Sequence, residues 1–110
     1  MVCGFNSTAL IEAVALNKSV VVPKYYEAGD SKLDKYMLDM NAVAQFAESE
    51  KALIDLLVAG ARAERRKNDA KDLDETRRAF LTKWLGNADG RSGDRVYDAV
   101  EKVIQEMRRK

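Results

Sequence analysis

A hydroxyl pair followed one helical turn later by a lone carboxylate is the combination of side chains in this 110-residue chain best suited to chemistry. Asn6-Ser7-Thr8 stands at the mouth of an apolar run that continues from Ala9 to Leu16. A helix start carries backbone N–H groups without intrahelical partners, and hydroxyls beside them complete what an anionic phosphate needs. Glu12 is the only charged side chain between Met1 and Lys18. At that spacing its carboxylate can accept from the two hydroxyls of a ribose while the turn holds a diphosphate. The same residues have a plainer use: Ser and Thr are ordinary helix caps, and most Glu side chains face solvent.

Such a turn needs a strand in front of it and a helix behind it, and the flanking pattern supplies both. Met1 to Phe5 is short and apolar, as a buried strand would be. Ala9 to Leu16 is apolar on every side except at Glu12, the pattern of a helix covered on more than one face. Asn17-Lys18 turns the chain, and Ser19 to Val22 has the β-branched density of a central parallel strand, ended by Pro23. Strand, turn, helix and strand make a βαβ unit.

Beyond it, Tyr25-Tyr26-Glu27-Ala28-Gly29-Asp30 reads as a loop at the carboxyl end of a strand, where open α/β sheets gather ligand contacts. The two tyrosines could stack on a base or a sugar, or simply pack. Asp30 or Ser31 is suited to cap a short helix reaching toward Met40, and Ala42 to Ala47 is expected to be a third strand. Ser49 should cap a helix over about Glu50 to Ala61, with Leu53, Ile54, Leu56 and Leu57 facing inward. Arg62 to Asn68 is basic and poor in apolar residues, a solvated connection or helix. Leu73, Arg77, Phe80, Leu81, Trp84 and Leu85 recur at helical spacing, with Trp84 expected in the core and Gly86 as the stop. Asp89-Gly90 turns the chain, and Ser92 is positioned to cap a last helix with Val96, Val100, Val103, Ile104 and Met107 on one stripe. The fold class expected is α/β: a partial, Rossmann-like parallel sheet of about three strands flanked by helices, with a helical C-terminal third. Residues 1–60 form a βαβ-β-α core, and residues 61–110 the C-terminal helices of the same single domain. A three-stranded sheet would leave an edge open to pairing, so self-association is expected.

Composition narrows the function classes. A net charge of +1 and a charged fraction of 34% give no global attraction to nucleic acid or to an anionic membrane. No apolar run approaches the roughly 20 residues that span a bilayer. The apolar start lacks a basic segment before it and carries Glu12 within it, so it reads as folded core rather than as a signal peptide. One cysteine, Cys3, cannot form an internal disulfide and fits a reducing cytoplasm. There is no histidine, which removes the commonest general base and metal ligand, and neither a metal nor a cofactor is expected. Lys18 and Lys24 could assist a phosphate but read more naturally as solvated charges, and Arg91 and Arg95 as surface ion-pair partners.

The run Gly4-Phe5-Asn6-Ser7-Thr8-Ala9-Leu10-Ile11-Glu12-Ala13, continued by Asn17-Lys18-Ser19-Val20-Val21-Val22-Pro23, resembles the carboxyl-terminal half of the two-Rossmann-domain (GT-B type) glycosyltransferases that build capsules and other surface polysaccharides. It is similar, more loosely, to nucleotide-sugar 2-epimerases and CDP-glycerol glycerophosphotransferases. Leu85-Gly86-Asn87-Ala88-Asp89-Gly90-Arg91-Ser92-Gly93-Asp94-Arg95-Val96 resembles the segment that precedes the final helix in the same proteins. Two positions depart from the pattern: Asn17 stands where the family usually has Gly, and Ser19 where it has Pro. The resemblance implies that Ser7 and Thr8, with Asn6 in the same turn, bind the diphosphate of a nucleotide-sugar donor, and that Glu12 holds its ribose. It further implies a cytoplasmic protein, or one peripheral at the inner face of the membrane. An acceptor domain on the amino-terminal side would supply the catalytic residues, which leaves this chain inactive by itself. A third reading, independent of any donor chemistry, is a non-catalytic α/β interaction module.

Overall fold

The computed structural model describes residues 1–64, 73–87 and 89–110. Three short parallel strands lie in the order β1-β2-β3: Val2–Cys3, Val20–Pro23 and Ala44–Ala47. Val2 pairs with Val20, and Val20 to Pro23 run in register against Ala44 to Ala47. Helix α1 (Thr8–Ala15) connects β1 to β2, and two 3-10 turns (Tyr26–Gly29 and Ser31–Tyr36) lie between β2 and β3. Three further helices follow: α2 (Glu50–Glu64), α3 (Glu75–Leu85) and α4 (Ser92–Arg108). This is the α/β arrangement expected from the sequence.

The central strand explains why the sequence there is apolar without alternation. Side chains in a strand point to opposite faces in turn. Val20 and Val22 enter one core with Leu10, Ile11, Ala13 and Val14 of α1 and with Phe80 and Leu81 of α3. Val21 is just as fully buried but stands outside that cluster, on the face where α2 packs against β2 and β3. A strand covered on both faces has no polar face to show.

Local signals place α1 closely. The Ser7 Oγ accepts from the Ala9 N–H at 3.3 Å and caps the helix. At the other end the Lys18 N–H donates to the Ala13 carbonyl (2.8 Å) and the Asn17 N–H to the Val14 carbonyl (3.0 Å), which together form a Schellman ending. That ending requires a left-handed residue, and Asn17 takes φ 55°. The position where the resembled family has Gly is thus filled by the next most tolerant residue. Gly4 lies where a Cβ would come within 3.0 Å of Leu10 Cδ2, so the absence of a side chain lets β1 pass close to α1.

Several expectations need correction. Ile54 is 60% exposed, so the inner face of α2 is carried by Ala52, Leu53, Leu56 and Leu57 without it. Trp84 is 37% exposed and leans on Phe80, 6.4 Å between ring centroids, rather than filling the core. Leu85 is exposed as well. Ser92 is the first residue of α4 and not its cap; Arg91 holds that position without a side-chain cap bond. The helix expected from Asp30 or Ser31 is a 3-10 turn ending at Tyr36, capped by Asp30 through the Lys32 N–H at 2.9 Å. Of the basic stretch 62–68, residues 62–64 continue α2, and 65–68 lie outside the described residues.

Candidate functional site

Parallel strands put all their carboxyl ends on one edge of the sheet, and that is where ligands meet open α/β sheets. Here the edge collects the turn Gly4 to Ser7, the loop Lys24 to Asp30 and the start of α2 after Ala47. Ser7 and Thr8 therefore stand at that edge, and Glu12 lies one helical turn further along α1.

The mouth of α1 is built on a left-handed residue. Asn6 takes φ 45° and turns the chain from β1 into the helix. Its side chain then spans some 30 residues of sequence. The Nδ2 donates to the Tyr36 carbonyl at 3.2 Å, and the Oδ1 accepts from the Leu38 N–H at 2.8 Å. Both polar atoms of Asn6 are thereby committed to the segment that leads into β3, an amide clamp that spacing alone does not reveal. Ser7 is committed in part, as the cap. Thr8 is exposed on the first turn, and no hydrogen bond engages its hydroxyl among the described residues.

Glu12 is the fourth residue after Thr8 on the same exposed side of α1, with Leu10, Ile11, Ala13 and Val14 turned to the core. Four residues at about 1.5 Å each set the two roughly 6 Å apart along the helix axis. The Glu12 carboxylate has no hydrogen bond or ion pair among the described residues. A hydroxyl and an uncommitted carboxylate on one face, a turn apart at the carboxyl edge, can receive a phosphate and a diol of the same ligand.

The cationic side chains named from the sequence fall elsewhere. Lys18 follows the far end of α1 and so sits at the opposite, amino edge of the sheet. Lys24 pairs with Asp34 at 3.5 Å. Arg91 pairs with Asp94 at 3.4 Å, and Arg95 grips Asp89 with both terminal nitrogens, one of them at 3.0 Å. These are ion pairs of the surface. The Arg95 grip, helped by the Arg91 N–H, holds the Asp89 carboxyl down at about 2.

A second recess opens on the same edge, a cavity of about 680 Å³ lined by Tyr25, Tyr26, Gly29, Asp30, Glu48, Ser49, Glu50 and Lys51. The two tyrosines meet edge to face at 5.2 Å, so the pair packs on itself. Tyr26 is nonetheless 80% exposed and holds φ 52°, a conformation that bulky residues seldom take. Ser49 caps α2 there by accepting from the Ala52 N–H at 3.1 Å.

Two contacts that stiffen the scaffold escape a reading of residue types. Arg77 sits in the apolar register of α3 because its Nη1 donates to the Lys18 carbonyl at 2.9 Å, which pins α3 to the turn that ends α1. The visible signal is a guanidinium recurring where only apolar residues are expected. Lys83 reaches Asp39 at 3.4 Å, and the Asn41 N–H, with Lys83 and the Asn41 amide, lowers the Asp39 carboxyl below its usual range. Among the described residues no group of three or more Cys, Asp or Glu is placed to hold a metal ion, and no helix is long and apolar enough to cross a membrane. Comparisons with protein-family models, characterised proteins and solved structures give no match to this chain.

Proposed function

We propose that this chain is the donor-binding portion of a glycosyltransferase that uses a nucleotide sugar to build a surface polysaccharide. The observation that carries the proposal is the exposed face of α1: Thr8 at the helix mouth, at the carboxyl edge of a parallel sheet, and an unpartnered Glu12 one turn along, on a helix whose Leu10, Ile11, Ala13 and Val14 are buried. In this scheme the N–H groups of the turn and the Thr8 hydroxyl stabilise the diphosphate as it leaves, with Ser7 contributing as its cap bond yields, and Glu12 fixes the ribose. Asn6 serves the same turn by holding its shape through Tyr36 and Leu38. In this scheme the acceptor site and the catalytic base belong to a second domain, and no histidine of this chain can serve as that base. An exposed free thiol at Cys3 suits a reducing compartment, so the proposal includes a cytoplasmic location or the inner face of the membrane. A nucleotide-sugar 2-epimerase or a glycerophosphotransferase would use the same contacts.

A specific observation favours a second reading, the non-catalytic module: Asn6 and Ser7 spend their side chains on the fold itself. Calorimetric titration of the chain with UDP, CDP and GDP decides between the two. The donor-binding reading expects saturable binding of at least one of them, lost or strongly weakened in Thr8→Val. Heat changes no larger than those of buffer with all three nucleotides leave the interaction module as the account of this fold.

A further inference from the structure

Between Val22 and Met40, both buried, the chain crosses the carboxyl edge of the sheet and buries nothing on the way. From Tyr26 to Asp39 no residue is buried, and Leu38 alone of them packs against the core. The backbone bonds within this stretch are local: the Leu33 N–H donates to the Asp30 carbonyl at 3.0 Å and the Met37 N–H to the Asp34 carbonyl at 3.3 Å. The stretch also shares a cavity of about 210 Å³ with the strand ends it crosses, lined by Asp34, Met37 and Leu38 on its own side and by Lys24 and Phe46 on theirs. Ordering a segment costs conformational entropy, and with no apolar side chain buried the segment is held by its polar contacts.

Those contacts are unequal. Lys24 pairs with Asp34 at 3.5 Å and Lys83 with Asp39 at 3.4 Å, both at the surface. Exposed ion pairs hold weakly, and salt screens them. The remaining tie is Asn6, whose Nδ2 donates to the Tyr36 carbonyl and whose Oδ1 accepts from the Leu38 N–H. Among the described residues no other hydrogen bond or ion pair joins residues 26–39 to a strand or a helix. Asn6 itself belongs to a different part of the fold, the left-handed turn from β1 into α1, immediately before Ser7 and Thr8.

We propose that residues 26–39 are a strap that opens from the carboxyl edge as one unit while the core stays folded, and that Asn6 is its latch. A segment with few buried contacts opens at much lower cost than the core beside it. Opening frees both polar atoms of Asn6 beside Ser7 and Thr8, so the state of the strap is linked to the mouth of α1. The strap needs no ligand to open, and the inference stands or falls apart from the proposed donor site.

Native-state hydrogen exchange of the full chain, followed by NMR, tests it. The N–H groups of Leu33, Met37 and Leu38 should show protection within about threefold of one another and at least about a hundredfold below that of Val21 and Val22 in the central strand. Urea well below the unfolding midpoint should speed Val21 and Val22 and leave the strap unchanged, because opening the strap exposes little surface. Asn6→Gly keeps the left-handed backbone and deletes the amide, and should speed all the strap positions at least about tenfold. In the wild type, 1 M sodium chloride should speed them about two- to threefold and release the Asn6 side-chain amide protons in step. Protection at Leu38 equal to that at Val21, a urea response shared with the central strand, or an effect of Asn6→Gly confined to Leu38 while Leu33 and Met37 stay unmoved overturns the inference.

Discussion

The βαβ unit at residues 2–23 and the terminal helix α4 are made of similar apolar residues and reach opposite ends. In the first, Leu10, Val14, Val20, Val21 and Val22 are each exposed by 2% or less; in the second, Val96 and Val100 are exposed by more than half. The difference lies in what surrounds them. Three strands in one register let α1 and α3 close one face and α2 the other, whereas α4 follows a turn held by exposed ion pairs. Periodicity tells which residues share a face, and only the neighbours decide whether that face is covered.

The contrast can be broken most sharply by truncation. Leu81→Ala removes a fully buried side chain beside α1 and should cost about 2–5 kcal/mol in urea unfolding, enough to unfold much of a marginal domain. Val100→Ala on α4 should change the same unfolding by no more than about 0.5 kcal/mol. Equal losses at the two positions would show that α4 is part of the cooperative core.

Smaller changes sharpen the account of the clamp. Asn6→Ala strips two hydrogen bonds from the Tyr36 to Leu38 segment and forces a left-handed residue with a plain Cβ, so a loss of about 1–3 kcal/mol is expected. Asn6→Gly, which keeps the conformational freedom but not the amide, should recover part of it. If Asn6→Gly is as stable as the wild type, the clamp contributes nothing. Arg77→Met keeps the stem on α3 and deletes the bond to the Lys18 carbonyl, and should cost about 1 kcal/mol.

The least costly test is acid. Asp89 is held down at about 2 by Arg95, below its ordinary value of 3.8. A carboxylate so depressed favours the folded turn above its ordinary pKa, and the advantage fades as pH falls through the folded value. The turn before α4 should therefore loosen between about pH 4 and pH 2. Carboxyl titration by NMR should find the Asp89 midpoint near the bottom of that window, and Arg95→Ala should return it toward the ordinary value.

Much of this architecture was legible beforehand for physical reasons. The strand Val20 to Pro23, the hydroxyl at Ser7, the turn at Asn17 and the cap at Ser49 are written in local chemistry: β-branched density, side chains that mimic backbone acceptors, and tolerance of a left-handed φ. Ile54 and Trp84 lie at the margins of helical stripes wider than the surfaces they contact, and such margins stay in solvent. The Asn6 clamp and the Arg77 anchor were hidden because each joins residues at least 30 positions apart, and no local pattern encodes such a partner. The candidate site divides in the same way: its residue types are local, whereas the commitment of Asn6 to the fold and the freedom of Glu12 are properties of the packed chain.

The ribose contact is the most direct test of the function proposed for that site. In calorimetry with a nucleoside diphosphate that the chain binds, Glu12→Gln should weaken affinity by about 1–3 kcal/mol through the lost charged hydrogen bonds. The loss should vanish when the ligand is the matching 2′,3′-dideoxy nucleotide, because that ligand offers the carboxylate nothing to accept. If Glu12→Gln costs the same with and without the hydroxyls, Glu12 does not hold the ribose and the proposed site is wrong.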